Sequence, residues 1–471
     1  YDAWTPSRAY SHCHGGVRIL TETASAKLAS PMNVPFEKLE AGLGYDARKA
    51  STNFPVVWPG GEWRLRDITR YMTFATFALL KDAARNRERW LRRFYEIGKE
   101  AVRPRKDGEL FAFIISPAPR SDHLLNILKR GGVQVDLAET FVAEGVTYPK
   151  WTSVIKMEQP YGSFSKALLE TQHYPDLRDE SGKPIPPYDV TAHTLPLLMN
   201  VEVKEIHRPF KYTIFHGGSN SGTGKATDVS RRTVAIYKSF IPSMDEGWTR
   251  WAMEDRRKPD YDLDLVQTTD KEIRSGNLRS KFISIILPDH SPSAILNGHK
   301  AGSMPTEYTG GIGADGVKAL REFVEQGGRL ICLNRASDFA IEQFKLPVRD
   351  VTEGLNRSEF YCPGSILRIL LDRSNPIAAG MPEESIAWFE DSPAFEITDN
   401  QASSHVKIIA RYAQDKEPLL SGWLLGGEKL KGKAALVEVA LGKGRIILFG
   451  FRPQYRGQSL ATYPLFFNSI K

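Results

Sequence analysis

Hydrophobic positions are patterned most clearly in the second half of the chain. Val234–Tyr237, Leu263–Val266, Phe282–Leu287, Gly328–Leu333, Ala434–Ala440 and Arg445–Phe449 are apolar runs of strand length. Between them, Asp245–Asp255 and Asp315–Glu325 carry the spacing of amphipathic helices. Strands apolar on both faces, alternating with helices, predict a parallel sheet covered on two sides.

The first half is less regular. Gly16–Ala24 reads as a strand with a polar end, followed by a Pro-, Gly- and Asn-rich loop through Gly61. Ile68, Met72, Ala75, Leu79, Ala83, Trp90, Phe94 and Ile97 then recur at helical spacing, with a gap near Asn86. This predicts one long amphipathic helix or two in succession. Pro104 and Gly108, set among charges, end it in a linker. Leu110–Ile115, the apolar helix Asp122–Lys129 and Val133–Asp136 predict a β-α-β unit. Residues 148–215 are rich in proline and lack a clean period, which predicts a mostly β connecting region.

Composition adds bounds. A chain of 471 residues, 41% hydrophobic and 25% charged, is globular and long enough for two or three domains. No apolar run reaches the ~18 residues of a membrane span. The net charge of +7 comes with no nucleic-acid-binding signature, and the basic run Arg85–Phe94 reads as the wet side of a helix. Cys13, Cys332 and Cys362 are too few for a disulfide framework.

Two glycine patterns imitate nucleotide sites. His216–Lys225 is one residue too long for a P-loop and has Ala226 where a hydroxyl must hold magnesium, so it reads as a Gly/Ser linker over 216–227. Gly311–Gly316 spells a dinucleotide motif but stands more than 20 residues past its nearest strand, and reads as a loop leading a helix. For zinc, no His-x-x-Glu or His-Glu-x-x-His occurs. His12 and His14 would share a face if they lay on a strand, but no third ligand can be named.

Cys332 stands near the end of a predicted strand that feeds a helix, a place where nucleophiles are exposed. The stretch Leu330–Glu342 resembles the strand and turn carrying the cysteine of class I glutamine amidotransferases. In that family a His-Pro-Glu sequence after a late strand supplies base and orienting carboxylate. The corresponding stretch here is Arg452-Pro453-Gln454, and Asn334 replaces a glycine of the turn. Arginine cannot accept a proton and glutamine carries no charge. The resemblance implies a doubly wound, flavodoxin-like domain over 232–471 with a degenerate site of Cys332, Arg452 and Gln454, short of a base unless His290 or His405 reaches the sulfur.

A second resemblance covers the start. His14-Gly-Gly-Val-Arg-Ile-Leu-Thr-Glu-Thr-Ala-Ser25, followed by a long helix, resembles the end of the catalytic domain of zinc carboxypeptidases of the carboxypeptidase A type. Trp58–Ile68, Gln159–Phe164, Pro187–Val190 with Thr194–Leu197, and Met244–Trp251 are similar to bacterial relatives with an amidotransferase-like C-terminal module. The resemblance implies Glu22 as general base, Tyr10 (or Tyr1) as a substrate-capping tyrosine, a peptide substrate, and a periplasmic or extracellular setting. The family's zinc ligands and carboxylate-gripping arginine lie upstream of the glutamate strand, and only 21 residues precede Glu22.

The expected organisation is therefore α/β throughout. Residues 1–105 are expected to be the C-terminal portion of a carboxypeptidase-like domain, an incomplete sheet packed on the helix. Residues 106–231 would be a mixed α/β connecting domain, and 232–471 the amidotransferase-like domain. Zinc is expected for the complete family enzyme but not for this chain alone, which would need a partner segment to be active as a peptidase. The other reading is a non-catalytic ligand- or partner-binding protein.

Overall fold

The computed structural model describes residues 6–19, 21, 23–25, 29–42, 45–52, 54–215, 232–254, 263–399 and 405–471. These divide into two units, one of residues 9–103 and one holding residues 104–471.

In the first unit the expected break near Asn86 is present: helices α2 (Leu65–Arg85) and α3 (Arg87–Ala101) follow one another across it. Asp67 accepts from the Arg64 backbone N–H at 2.9 Å and secures the start of α2. No residue of either helix is buried. The apolar stripe is only partly covered: Ile68, Met72 and Trp90 are half-buried, whereas Leu79, Phe94 and Ile97 are 43%, 57% and 42% exposed.

Among the described residues of 16–24 the expected strand is not formed. The described residues there lie outside any strand, and Val17 and Ile19 are each 57% exposed. A strand needs a neighbour for its backbone hydrogen bonds, and the described strand pairs here, Met32–Val34 with Gly61–Trp63 and Ala41–Gly42 with Tyr45–Asp46, do not involve it. Helix α1 (Pro6–Cys13) takes up Tyr10 and His12 instead. That removes the shared strand face considered for His12 and His14.

The second unit opens with β1 (Ala112–Ile115), α4 (Ser121–Arg130) and β2 (Asp136–Ala138). These follow the expected β-α-β order, with the second strand at Asp136–Ala138 rather than Val133–Asp136, but β3 (Thr152–Lys156) inserts between the two strands and pairs antiparallel with both. Strand β4 (Val203–Ile206) pairs on the far side of β1. The region 148–215 also holds helices α5 (Gly162–Leu169) and α6 (Leu195–Met199), so it is mixed rather than mostly β. Both helices are short and buried on most positions, which hid their period.

The large sheet begins at β5 (Arg232–Tyr237), followed by α7 (Met244–Glu254), β6 (Leu263–Thr268) and α8 (Asp270–Arg274). Then come β7 (Ser284–Leu287), α9 (Pro292–Asn297), α10 (Gly313–Glu325), β8 (Arg329–Leu333) and α11 (Ala336–Phe344). After β9 (Pro363–Leu371), β10 (Glu384–Glu390), β11 (Val406–Tyr412), β12 (Ala434–Leu441) and β13 (Gly444–Phe449), helix α12 (Tyr463–Ile470) ends the chain. The strand order is β6-β5-β7-β8-β13-β12-β11-β9-β10. The first five are parallel and the rest antiparallel.

Side chains alternate across this sheet. Ala235, Tyr237, Leu287, Leu330, Cys332 and Leu448 share one core with α10 and α11. Helices α7 and α12 contact β5 and β8 respectively. The whole is a mixed α/β structure with large sheets. Among the described residues, no helix is long and apolar enough to cross a membrane.

Candidate functional site

The parallel strands deliver their loops to one edge. The order reverses between β5 and β7: the chain leaving β5 runs through α7 out to β6, while the chain leaving β7 runs the other way to β8. Such a switch point opens a crevice at the carboxyl ends, where α/β sheets hold ligands. Asp245, at the start of α7, stands on one side of it, and Asp289 and His290, just past β7, stand on the other. Ser243 donates to the Asp289 carbonyl at 3.1 Å and ties the two loops together.

Arg452, three residues past β13, fills the crevice and is 7% exposed. Its Nη2 donates to Asp289 at 2.7 Å and its Nε to Asp245 at 3.3 Å. Its Nη1 donates to the Glu390 carbonyl and lies 3.5 Å from the Glu390 carboxylate. Burial works against this cation, but Asp245, Asp289 and Glu390 outweigh burial and hold its proton more tightly than usual.

Asp289 is a hub. It accepts from Asn334 Nδ2 at 3.2 Å, and from the backbone N–H, Nε and Nη2 of Arg335 at 3.1, 3.1 and 3.2 Å. Burial would raise its carboxyl, but Arg452 and Arg335 hold it below the ordinary range. Asp245 has less support: burial pushes it up to about 7, only partly countered by Arg452. Gln454 Nε2 donates to Asp245 at 3.3 Å and to Thr249 Oγ1 at 3.0 Å.

Cys332 lies on β8, one residue before its end, and is 0% exposed. Burial raises its thiol well above the ordinary range, and Asp338 raises it further. The charge acting on the sulfur is thus a carboxylate. Asn334 follows the strand in the left-handed region (φ 54°), which asparagine tolerates. No histidine among the described residues is hydrogen-bonded to the Cys332 sulfur. His290 is buried, its ring 6.3 Å from that of Tyr237, and burial lowers its pKa. His405 is exposed before β11.

Beyond Arg335 a cleft of about 260 Å³ opens. Asp338 on α11, Asp350, Glu353 and Asp391 supply its carboxylates, and Arg335 and Arg357 its cations. Phe360, Tyr361, Cys362 and Phe389 form an apolar wall. Asp350 is occupied by Thr352, at 2.8 and 2.9 Å, and by the Ala394 N–H at 3.0 Å. Asp338 Oδ1 is buried without a hydrogen-bond partner. Burial, then Asp350, Glu353 and Glu342, push the Asp338 carboxyl up to about 8.

The structure thus gathers Arg452 and Gln454 around Asp245, while Cys332 is sealed in the core beneath. Sequence reasoning missed Asp245, Asp289, Glu390 and Asp338. Asp289 had one usable signal, its place right after the apolar run ending at Leu287. Glu22 lies outside the described residues, as does His216–Lys225. Tyr10 is 44% exposed on α1, stacked on His14 at 4.0 Å. No group of three or more metal-ligating side chains occurs among the described residues. Gly311 serves packing: a Cβ there would meet the Ile295 carbonyl oxygen at 2.4 Å.

Segments quoted for the carboxypeptidase-related resemblance carry structural contacts. Gln159 bonds the Gln134 backbone at 2.7 and 3.1 Å, Asp189 pairs with Arg456 at 2.7 Å, and Trp248 meets Tyr455 edge-on at 5.3 Å.

No family model matches the chain, and no curated protein matches it. Solved structures similar to part of it include a ThuA-like protein from Bacteroides uniformis, 12% identical with a TM-score of 0.31, covering 54% of this chain and 95% of that one. A cytoplasmic protein from Salmonella typhimurium is 11% identical, with a TM-score of 0.33 over 51% of this chain and 99% of that one. A β-galactosidase from Bacillus circulans is 13% identical, with a TM-score of 0.30 over 50% of this chain and 30% of that one. At these TM-scores the likeness carries no activity across to this chain.

Proposed function

We propose that residues 104–471 work as a non-catalytic binding module on a degenerate amidotransferase-like frame. The observation that carries this reading is the Arg452 clamp. Amide hydrolysis by a cysteine needs a thiolate and a nearby base that takes and returns a proton. Arg452 cannot give up its proton, three carboxylates hold it, and the Cys332 thiol is buried and raised. Labelling with the glutamine analogue 6-diazo-5-oxonorleucine tests the reading. Intact-mass analysis is expected to find no adduct on Cys332, and an adduct there would refute it.

A second reading concerns the first unit, and the incompletely covered apolar stripe of α2 and α3 favours it. Residues 9–103 would complete a zinc carboxypeptidase-like fold whose zinc ligands come from another segment or chain. In such an enzyme a bound zinc would supply an acidified water, and Glu22 would take its proton and pass it to the leaving amine. The chain alone would then bind no stoichiometric zinc and cleave no peptide. One equivalent of zinc in the purified chain would count against this reading and return attention to His12 and His14.

A further inference from the structure

We infer that the cleft beside Arg335 takes a compact organic cation with an apolar body, an aralkylamine in the simplest case. This rests on the binding-module reading and specifies its ligand.

Three observations support the class. The first is shape: about 260 Å³ is at the small end for ligand sites, so the occupant is compact. The second is the wall of Phe360, Tyr361 and Phe389, whose rings offer apolar and cation-attracting faces. Arg357 already lies 5.2 Å from the Tyr361 ring centroid, showing that a cation is accepted there.

The third is the balance of charge. Arg335 is paired with Asp289, at 3.1 and 3.2 Å, and offsets the carboxylates of the cleft only in part. Arg357 remains against Asp338, Asp350, Glu353 and Asp391. Asp350 is satisfied by Thr352 and Ala394, whereas Asp338 has a buried oxygen with no partner. An ammonium group beside Asp338 would supply the missing donor and favour the ionised carboxylate that Asp350 and Glu353 oppose. An anion would meet that repulsion instead.

The test is titration calorimetry of the full chain with benzylamine and with benzoate, matched in shape and opposite in charge. Benzylamine is expected to bind at one site, with affinity reduced at least tenfold by Asp338→Asn and also weakened by Glu353→Gln at the exposed rim. Benzoate is expected not to bind. Glu353→Gln keeps the test decisive if Asp338→Asn disturbs folding. Binding of benzoate alone would overturn the cation assignment while leaving the binding module standing. Binding of neither, or benzylamine binding indifferent to both substitutions, would overturn the assignment too. The module reading fails separately, on a covalent adduct at Cys332.

Discussion

The guanidinium of Arg452 lies 2.7 Å from the carboxylate of Asp289, and both side chains are almost wholly buried. This contact closes the crevice at which the sheet changes direction. It sets a fixed, fully paired cation in that crevice.

Replacing Arg452 should expose the cost of that arrangement. Arg452→Met would leave Asp245 without its cation and Asp289 with only Arg335 and Asn334. Breaking a buried pair from one side costs about 3–5 kcal/mol. Urea denaturation should show a loss of that order, partly recovered when Asp245→Asn is added. A loss below about 1 kcal/mol, the range of exposed pairs, would show that the clamp is not buried in solution.

Two carboxyls pushed far up and one held down in this region bear directly on the pH dependence of stability. Asp245 is pushed to about 7 and Asp338 to about 8. Unfolded aspartates release their protons near pH ~3.9, so above that pH the folded state binds more protons than the unfolded. These two groups make stability fall as pH rises toward their folded values. Asp289 acts oppositely: its contribution is present above the unfolded value and lost as pH falls through its lowered folded value. The optimum should lie on the acid side of neutrality. Asp338 faces Asp350, Glu353, Glu342 and Arg335, and Asp245 faces Arg452, Asp289 and Glu390. Asp338→Asn should flatten the decline between about pH 5 and 8. Melting temperatures that rise over that range equally in both proteins would contradict the assignment.

Much of the parallel core was legible because its strands are buried on both faces. Ser284–Leu287 and Arg329–Leu333 read as unbroken apolar runs, and their helices carry a clear period. The antiparallel extension of β9, β10 and β11 escaped notice, although β10 (Glu384–Glu390) is itself mostly apolar. The expected strand over 16–24 failed for the opposite reason: Val17 and Ile19 have strand character but no partner ladder. In the site, Cys332, Arg452 and Gln454 were legible from chain order. Asp245 and Asp338 were not, because an aspartate in the first turn of a helix reads as an ordinary N-terminal charge. Only burial and the neighbours brought by other strands set them apart.

Tyr237 gives a check on the other side of the switch point. Its hydroxyl donates to Asp270 Oδ1 at 2.5 Å inside the core. Tyr237→Phe would leave that oxygen without its donor and should cost about 1–3 kcal/mol in urea denaturation. A change near zero would mean that water replaces the hydroxyl.

The buried thiols offer a further one. Cys332 and Cys362 are both buried, and burial raises both thiols, Cys362 to about 12. Neither should react with a small aromatic disulfide in the native chain, and both should react once the chain is unfolded. Native labelling of Cys332 on the timescale of an exposed thiol would contradict the sealed core.

Ammonia release from glutamine tests the central claim most directly, measured side by side for the native chain and Cys332→Ser. Both should match the enzyme-free background, and the substitution should leave the fold unchanged. A native rate above background that disappears in Cys332→Ser would contradict it, because it would require a thiolate and a base where the structure holds a buried thiol and Arg452.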